Sequence, residues 1–303
     1  MRVVILGAGA MGSFFGALLA RDHDVTLVAR PDHARAVREG GLTVSGRTTF
    51  AARPKAVEAV ADVEGHADLV LVAVKAYDTR AAADVLKPIV GRDTLIATLQ
   101  NGLGNVETLL DRFAAKRVVA GATSHGVTFV EPGHVRHAGL GYTVVGSPVG
   151  ETAAAKTVAD LLGAAGHETA LSERILGEVW AKVVVNAAIN PVTAITGLPN
   201  GALLEQPHLK EIMTLAAEEA VEVAKAERAP LPDDDLVIRA RVVAERTAEN
   251  KSSMLQDVER GRRTEIDAIS GEIAARGRRL GVDTPVTRTL VALVKGIEST
   301  TRR

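Results

Sequence analysis

The run Arg2-Val-Val-Ile-Leu6, followed without a break by Gly7-Ala-Gly9-Ala-Met-Gly12 and a helical stretch over 13–20, decides the fold of the first half of this chain. It reads as strand, glycine turn, helix. In that context Gly7 permits the tight turn, Gly9 lets main chain approach a pyrophosphate, and Gly12 lets the helix pack close to the strand. The helix N-terminus then presents N–H groups and a partial positive charge to phosphates. Glycine turns also serve purely structural ends, but this one opens an alternating β/α half. Further β-rich runs follow at 24–29, 68–74, 94–99 and 117–120, separated by helix-like segments, which is the pattern of a parallel sheet covered on both faces. Beyond 117, the runs 126–130 and 135–136 flank Pro132-Gly133 and 142–145 follows, so hairpin strands are expected to extend the sheet antiparallel.

From about 172 the spacing becomes helical, over 173–189, 209–226, 233–249, 264–280 and 284–299, bounded by Gly, Pro, Asn or Asp. The expected organisation is an α/β domain over 1–171 and an all-α domain over 172–303, with the boundary near Leu171. The 303 residues suffice for two cores. Lys plus Arg number 36 against 37 Asp plus Glu, so no global field favours nucleic acid or an anionic membrane, and a small-molecule partner is expected. The absence of cysteine removes disulfides, thiolate metal sites and thiol nucleophiles, and fits a reducing compartment. No leader pattern is read at the N-terminus, and no apolar run reaches the roughly 18 residues of a spanning helix. A cytoplasmic location without membrane or nucleic-acid partners is therefore expected.

About 20 residues past the glycine turn, an NAD site places an acid on the ribose hydroxyl. Here the second strand ends Leu27-Val-Ala-Arg30. An acid would repel a 2′-phosphate, whereas Arg30 can clamp one, so the cofactor is read as NADP(H). The alternative for Arg30 is a solvated surface charge. Lys75 and Gln100-Asn101-Gly102 stand at the ends of the third and fourth runs, where open α/β sheets hold ligands. A snorkelling lysine and a simple turn are the other readings of those positions.

In Glu178-Val-Trp-Ala-Lys182-Val-Val-Val-Asn186-Ala-Ala-Ile-Asn190-Pro191 the polar residues recur every fourth position. They form one helical stripe, drifting about 40° per step, among otherwise apolar faces. Buried without partners, each would cost a few kcal/mol, so the stripe is read as facing a wet cleft. Hydride addition to a ketone builds negative charge on its oxygen. Lys182 can supply the donor there, and Asn186 and Asn190 can orient the substrate. The competing reading is a Glu178–Lys182 ion pair on a solvated face.

These residues, with Val74-Lys75-Ala, Gln100-Asn101-Gly-Leu-Gly104, Asn190-Pro-Val-Thr193, Pro199-Asn200-Gly, Asn250-Lys-Ser-Ser253-Met-Leu-Gln-Asp257 and Thr264-Glu265-Ile-Asp267, resemble the ketopantoate reductase family over nearly the whole chain. The resemblance implies a Rossmann-like N-terminal domain, an all-α C-terminal domain, and NADPH-dependent reduction of a small 2-oxo acid, ketopantoate first. It further implies Lys182 as general acid, tuned by Glu265. Gly7, Gly9, Ala10, Met11, Gly12, Arg30, Lys75, Asn101 and Ala122 would hold the cofactor. Asn101, Lys182, Asn186, Asn190, Asn200, Asn250 and Ser253 would hold the substrate, closed between the domains. From the residues alone, Glu265 could equally be a favourable acid at a helix start. A homodimer is left open.

His134 and His137 have a metal-compatible spacing but no third ligand in sight, so no metal is expected. Trp180 is read as interdomain core, and Arg260-Gly-Arg-Arg263 as a solvated cluster that could also touch an anion. Two rivals stand beside the leading reading: reduction of another 2-oxo acid or an imine, and a non-catalytic NADP sensor, which would have no need of Lys182.

Overall fold

The computed structural model describes residues 1–301, so the last two residues of the expected second domain lie outside it. The chain divides into two compact units, Met1–Gln100 with Asn105–Ile175, and Asn101–Gly104 with Leu176 onward. The division falls at Ile175 rather than Leu171. The excursion of Asn101–Gly104 into the second unit was not foreseen, because four residues with two glycines read locally as a turn.

The first unit contains β1 (Arg2–Leu6), α1 (Ala10–Leu19), β2 (Asp24–Val28), α2 (Pro31–Gly40), β3 (Leu42–Gly46), β4 (Phe50–Ala52), β5 (Lys55–Val57) and β6 (Ala67–Val72). It continues with α3 (Thr79–Val85), β7 (Val90–Thr98), α4 (Asn105–Leu110), β8 (Val118–Thr123), β9 (Gly126–Glu131), β10 (His134–Gly139), β11 (Thr143–Gly146), α5 (Thr152–Ala164) and β12 (Thr169–Leu171). The main sheet runs β12-β11-β8-β7-β6-β1-β2-β5. Its strands from β8 to β5 are parallel, and β11 is antiparallel to β8.

Both faces of this sheet are buried, which is why its strands are continuous apolar runs rather than alternating ones. Val3 and Ile5 pack with Phe14, Phe15 and Leu19 of α1. Val4 and Leu6 join Val70, Val72 and Leu86 in a second cluster. Leu6 is in register with Val28 on one side and Val72 on the other, so β1, β2 and β6 end on one edge. The sheet grows outward from β1 by β2 and then, reversing, by β6. That reversal is the switch point at which open α/β sheets bind ligands.

The expected extension by the 126–139 hairpin is corrected. Only β11 and β12 extend the main sheet, while β9 and β10 join β3 and β4 in a second sheet ordered β4-β3-β10-β9. Its Val44 and Val135 share the core of Phe14 and Phe15. Strand β10 pairs parallel with β3, His134 opposite Thr43, a long-range partner that local alternation cannot reveal.

The second unit is wholly helical among the described residues: α6 (Ile175–Thr196), α7 (Ala202–Glu205), α8 (Pro207–Ala226), α9 (Leu236–Arg246), α10 (Ser253–Glu259), a π-helical turn (Asp267–Gly271), α11 (Glu272–Leu280) and α12 (Pro285–Thr301). Its core centres on α6, whose Ala181, Val184 and Ala188 cluster with Ala216, Ala220 and Val223 of α8. Trp180 belongs to this unit's own core, with the Arg276 guanidinium 5.8 Å from its ring centroid. Helix α6 runs through Pro191 to Thr196 instead of ending at 189. The main-chain bond lost at the proline is offset by burial of Val192 and Ala194. By length and composition α6 could cross a membrane, contrary to the expectation that no run would, but 78% of its apolar window is buried within the protein, as in a core helix.

Candidate active site

The first group of expected site residues lies along the sheet edge of the first unit. Gly7 has φ +97°, and a β-carbon there would lie 2.6 Å from the Val74 nitrogen, so turn and neighbouring strand end close on one another. The Gly7 and Ala8 N–H groups donate to the Val28 carbonyl at 3.2 and 3.0 Å. A β-carbon on Gly12 would strike the Gly7 carbonyl oxygen, whereas one on Gly9 would meet nothing within 4 Å. Main chain at Gly9 is therefore open to a ligand. Gly9 caps α1 without a side-chain hydrogen bond, so the first-turn amides at Ala10, Met11 and Gly12 have no intrahelical acceptor. Arg30 is exposed, caps α2, and forms no ion pair among the described residues.

Lys75 is half-buried and follows Val74 directly. The side chain of Gln100, named in the sequence but given no role, clamps this edge: its Nε2 donates to the Val74 carbonyl and to Thr79 Oγ1, both at 2.8 Å. Ala122 sits two residues beyond Ala120, which pairs with the end of β7 at Thr98, and is opposite Val144 of β11.

The second group lies in the second unit. Lys182 is half-buried on α6 and makes no hydrogen bond or contact ion pair among the described residues. Burial pushes its ammonium down to about 8, against which the charge of Glu265 acts upward. Glu265 is 7% exposed and accepts a hydrogen bond from Asn101 Nδ2 at 3.3 Å. Asn186 is half-buried and Asn190 is buried at 6%, while Glu178 faces Arg239 of α9 at 3.8 Å. The four-residue stripe thus divides: its first member is tied to α9, and the Glu178–Lys182 pair is not formed.

Asn200 is buried, donates to Thr247 Oγ1 at 2.8 Å, and leaves its Oδ1 buried with no partner. Its N–H donates to the carbonyl of the exposed Asn250 at 3.0 Å. Ser253 is exposed in the first turn of α10; the buried Ser252 before it caps that helix and lies 2.7 Å from Thr193 Oγ1. His134 bonds Ser45 and His137 bonds His125, and no group of three metal-ligating side chains converges among the described residues. In the arginine cluster, Arg263 lies 3.4 Å from Asp267.

Two family models match the chain, one described as ketopantoate reductase PanE/ApbA over residues 3–150 and one as ketopantoate reductase PanE/ApbA C terminal over residues 174–298. The chain belongs to the ketopantoate reductase family. A relative from Archaeoglobus fulgidus named 2-dehydropantoate 2-reductase is 42% identical over 300 residues, covering 98% of each chain. A PanE/ApbA family ketopantoate reductase structure from Ralstonia eutropha JMP134 superposes with a TM-score of 0.93 at 38% identity, covering 100% of both chains. The ternary structure of D-mandelate dehydrogenase with NADH and anilino(oxo)acetate gives a TM-score of 0.94 at 27% identity, covering 100% of this chain and 99% of that one. The family is one of oxidoreductases, with a Rossmann-type nucleotide-binding fold.

The residues present fit a nicotinamide dinucleotide. A main-chain cradle that no β-carbon fills at Gly9, at an uncapped helix N-terminus, suits a pyrophosphate.

Proposed function

We propose that this protein reduces 2-dehydropantoate (ketopantoate) to pantoate with NADPH, and that Lys182 donates the proton. The observation that carries this reading is Lys182 itself, an ammonium on an apolar core helix, without a contact partner among the described residues and held near 8 by burial. A general acid works best when its pKa lies near the operating pH. Gly7, Gly9, Ala10, Met11 and Gly12 would hold NADPH, Arg30 would meet its 2′-phosphate and Lys75, Asn101 and Ala122 would line the nicotinamide end; the bound cofactor would supply the hydride. As the carbonyl carbon gains that hydride, the C=O π pair moves onto oxygen and takes a proton from Lys182, which is left neutral and is reprotonated from water. Glu265 keeps the lysine cationic until that moment. Asn186, Asn190, Asn200, Asn250 and Ser253 orient the 2-oxo acid by neutral hydrogen bonds.

A second reading, reduction of an aryl 2-oxo acid, is favoured by the likeness to D-mandelate dehydrogenase. The test is loss of reduced-cofactor absorbance with ketopantoate and a panel of alkyl and aryl 2-oxo acids. Ketopantoate should give the highest kcat/KM, and Lys182→Ala should lower kcat by about 10²–10⁴-fold. Turnover of none of these acids despite tight NADPH binding would point instead to a cofactor sensor.

A further inference from the structure

Ser13 of α1 is fully buried and falls on the glycine turn twice. Its N–H donates to the Gly9 carbonyl at 2.9 Å, and its hydroxyl to the Ala8 carbonyl at 3.2 Å. Those two carbonyls belong to the peptide units on either side of the Gly9 α-carbon, where a β-carbon would meet nothing within 4 Å. Ala8 is 7% exposed, and its carbonyl accepts from no other group among the described residues. A serine hydroxyl has one hydrogen. With that hydrogen on a carbonyl, which can only accept, the Ser13 oxygen must accept from His33 Nε2, 2.9 Å away. On the other side of the ring the Gly133 N–H, which can only donate, meets Nδ1 at 2.9 Å. Both neighbours therefore require the same His33, neutral and with its hydrogen on Nε2. Burial to 3% exposure pushes the ring's pKa down and keeps it neutral. Phe129 stands against the imidazole with ring centroids 5.0 Å apart, and the Gly133 carbonyl is held in turn by Thr43 N–H at 2.9 Å. The donors run Gly133, His33, Ser13, Ala8, every link pointing the same way.

We propose that Ser13 and His33 are positioning residues for the dinucleotide: His33 holds the Ser13 hydroxyl on the Ala8 carbonyl, and this fixes the peptide units around Gly9 before the cofactor arrives. This rests on the reading of the glycine turn as a pyrophosphate cradle. A helical serine tends to bond the carbonyl four residues back, which here is Gly9. The His33 donor selects Ala8 instead. Without it the hydroxyl turns to Gly9, and the Ala8 carbonyl, left without a donor, turns toward water, where its partial negative charge opposes a phosphate. Ordering the turn then falls to the binding step and weakens it. Because NADPH and NADH share the pyrophosphate, both lose alike, which separates this relay from a clamp on the 2′-phosphate.

The experiment is fluorescence titration with NADPH and with NADH, in the absence of any 2-oxo acid, of the full-length wild type, Ser13→Ala, His33→Phe, His33→Asn and His33→Gln. A glutamine amide nitrogen reaches where Nε2 stood, whereas an asparagine reaches only as far as Nδ1. Ser13→Ala, His33→Phe and His33→Asn should each raise both Kd values by about three- to tenfold, and His33→Gln by less than about twofold. Adding His33→Phe to Ser13→Ala should weaken binding no further, since both changes break one relay. Variants that lose thermal stability but keep the wild-type Kd would overturn the proposal and leave the relay merely structural, as would a His33→Gln no better than His33→Phe. Should the other variants fail to fold, nitrogen NMR of the ¹⁵N-histidine-labelled wild type decides, with the His33 signals assigned by their absence from His33→Gln or, failing that, by selective labelling. A hydrogen fixed on Nε2 with Nδ1 bare sustains the relay, and the opposite tautomer or a ring exchanging between the two refutes it. A wild type that binds neither cofactor would remove the cradle itself, whereas tight wild-type binding that Ser13→Ala leaves unchanged would remove this proposal alone.

Discussion

Arg30 follows β2 by two residues, and the carbonyl of Val28 at that strand's end receives the Gly7 and Ala8 N–H groups. The guanidinium is thus anchored by main chain to the glycine turn, while its own charge is not consumed by a neighbour: Asp32 is engaged by Arg35 at 2.9 Å. A charge-assisted contact to a 2′-phosphate is worth about 1.5–3 kcal/mol, or roughly 10–150-fold in affinity. Arg30→Ala should therefore raise the Kd for NADPH by about that factor while changing NADH by less than about threefold. Equal losses for both cofactors, measured by fluorescence titration, would remove Arg30 from the phosphate.

At the scale of an element, α1 shows why the glycine turn of the first unit was legible in the sequence and parts of the helical unit were not. Its glycine spacing follows from contacts only a few residues apart, since Gly12 abuts the Gly7 carbonyl and Ile5. Gly12→Ala should push α1 off β1, destabilise the protein by about 1–3 kcal/mol as overpacking does, and weaken NADPH binding. An unchanged Tm together with an unchanged Kd would refute that close-packing account. The polar stripe of α6 was legible for the same reason, as periodicity within one helix. What periodicity could not supply is which polar residue is tied elsewhere. Glu178 is engaged by Arg239, and Ser252, rather than Ser253, caps α10. The Asn101–Glu265 bond joins residues 164 positions apart, and His134 of β10 bonds Ser45 of β3 across 89; neither leaves a trace in local pattern.

For the whole molecule, pH acts from two sides, on stability below neutrality and on activity above it. The first unit buries a histidine cluster against α1: His125 and His137 lie 2.9 Å apart at Nδ1 and Nε2, and His167 stacks on His125 with ring centroids 4.2 Å apart. Burial, then the charges of His167 and His137, push His125 down to about 3. Burial and then His137 push His167 down to about 4, and His137 is lowered by burial and by Arg47, against a main-chain hydrogen bond at Gly139. An unfolded chain protonates these rings near 6.5, so it binds more protons than the folded one below that pH. Stability is then lost as pH falls from about 6.5 toward 4, by up to about 1.4 kcal/mol per pH unit for each histidine. His125→Phe, which keeps a ring and deletes the partnerless Nε2, should flatten that slope in urea unfolding followed by circular dichroism. A slope equal to wild type would exclude the cluster as its cause. On the alkaline side Lys182 has a linkage of the same sign. Its folded pKa of about 8 lies below the ordinary lysine value of 10.5, so between these pH values the unfolded chain binds more protons and this residue's contribution to stability rises with pH. Reductase activity should fall above about pH 8 with the circular dichroism signal intact. Activity and unfolding transitions that coincide there would show that the alkaline loss is not the titration of the proton donor.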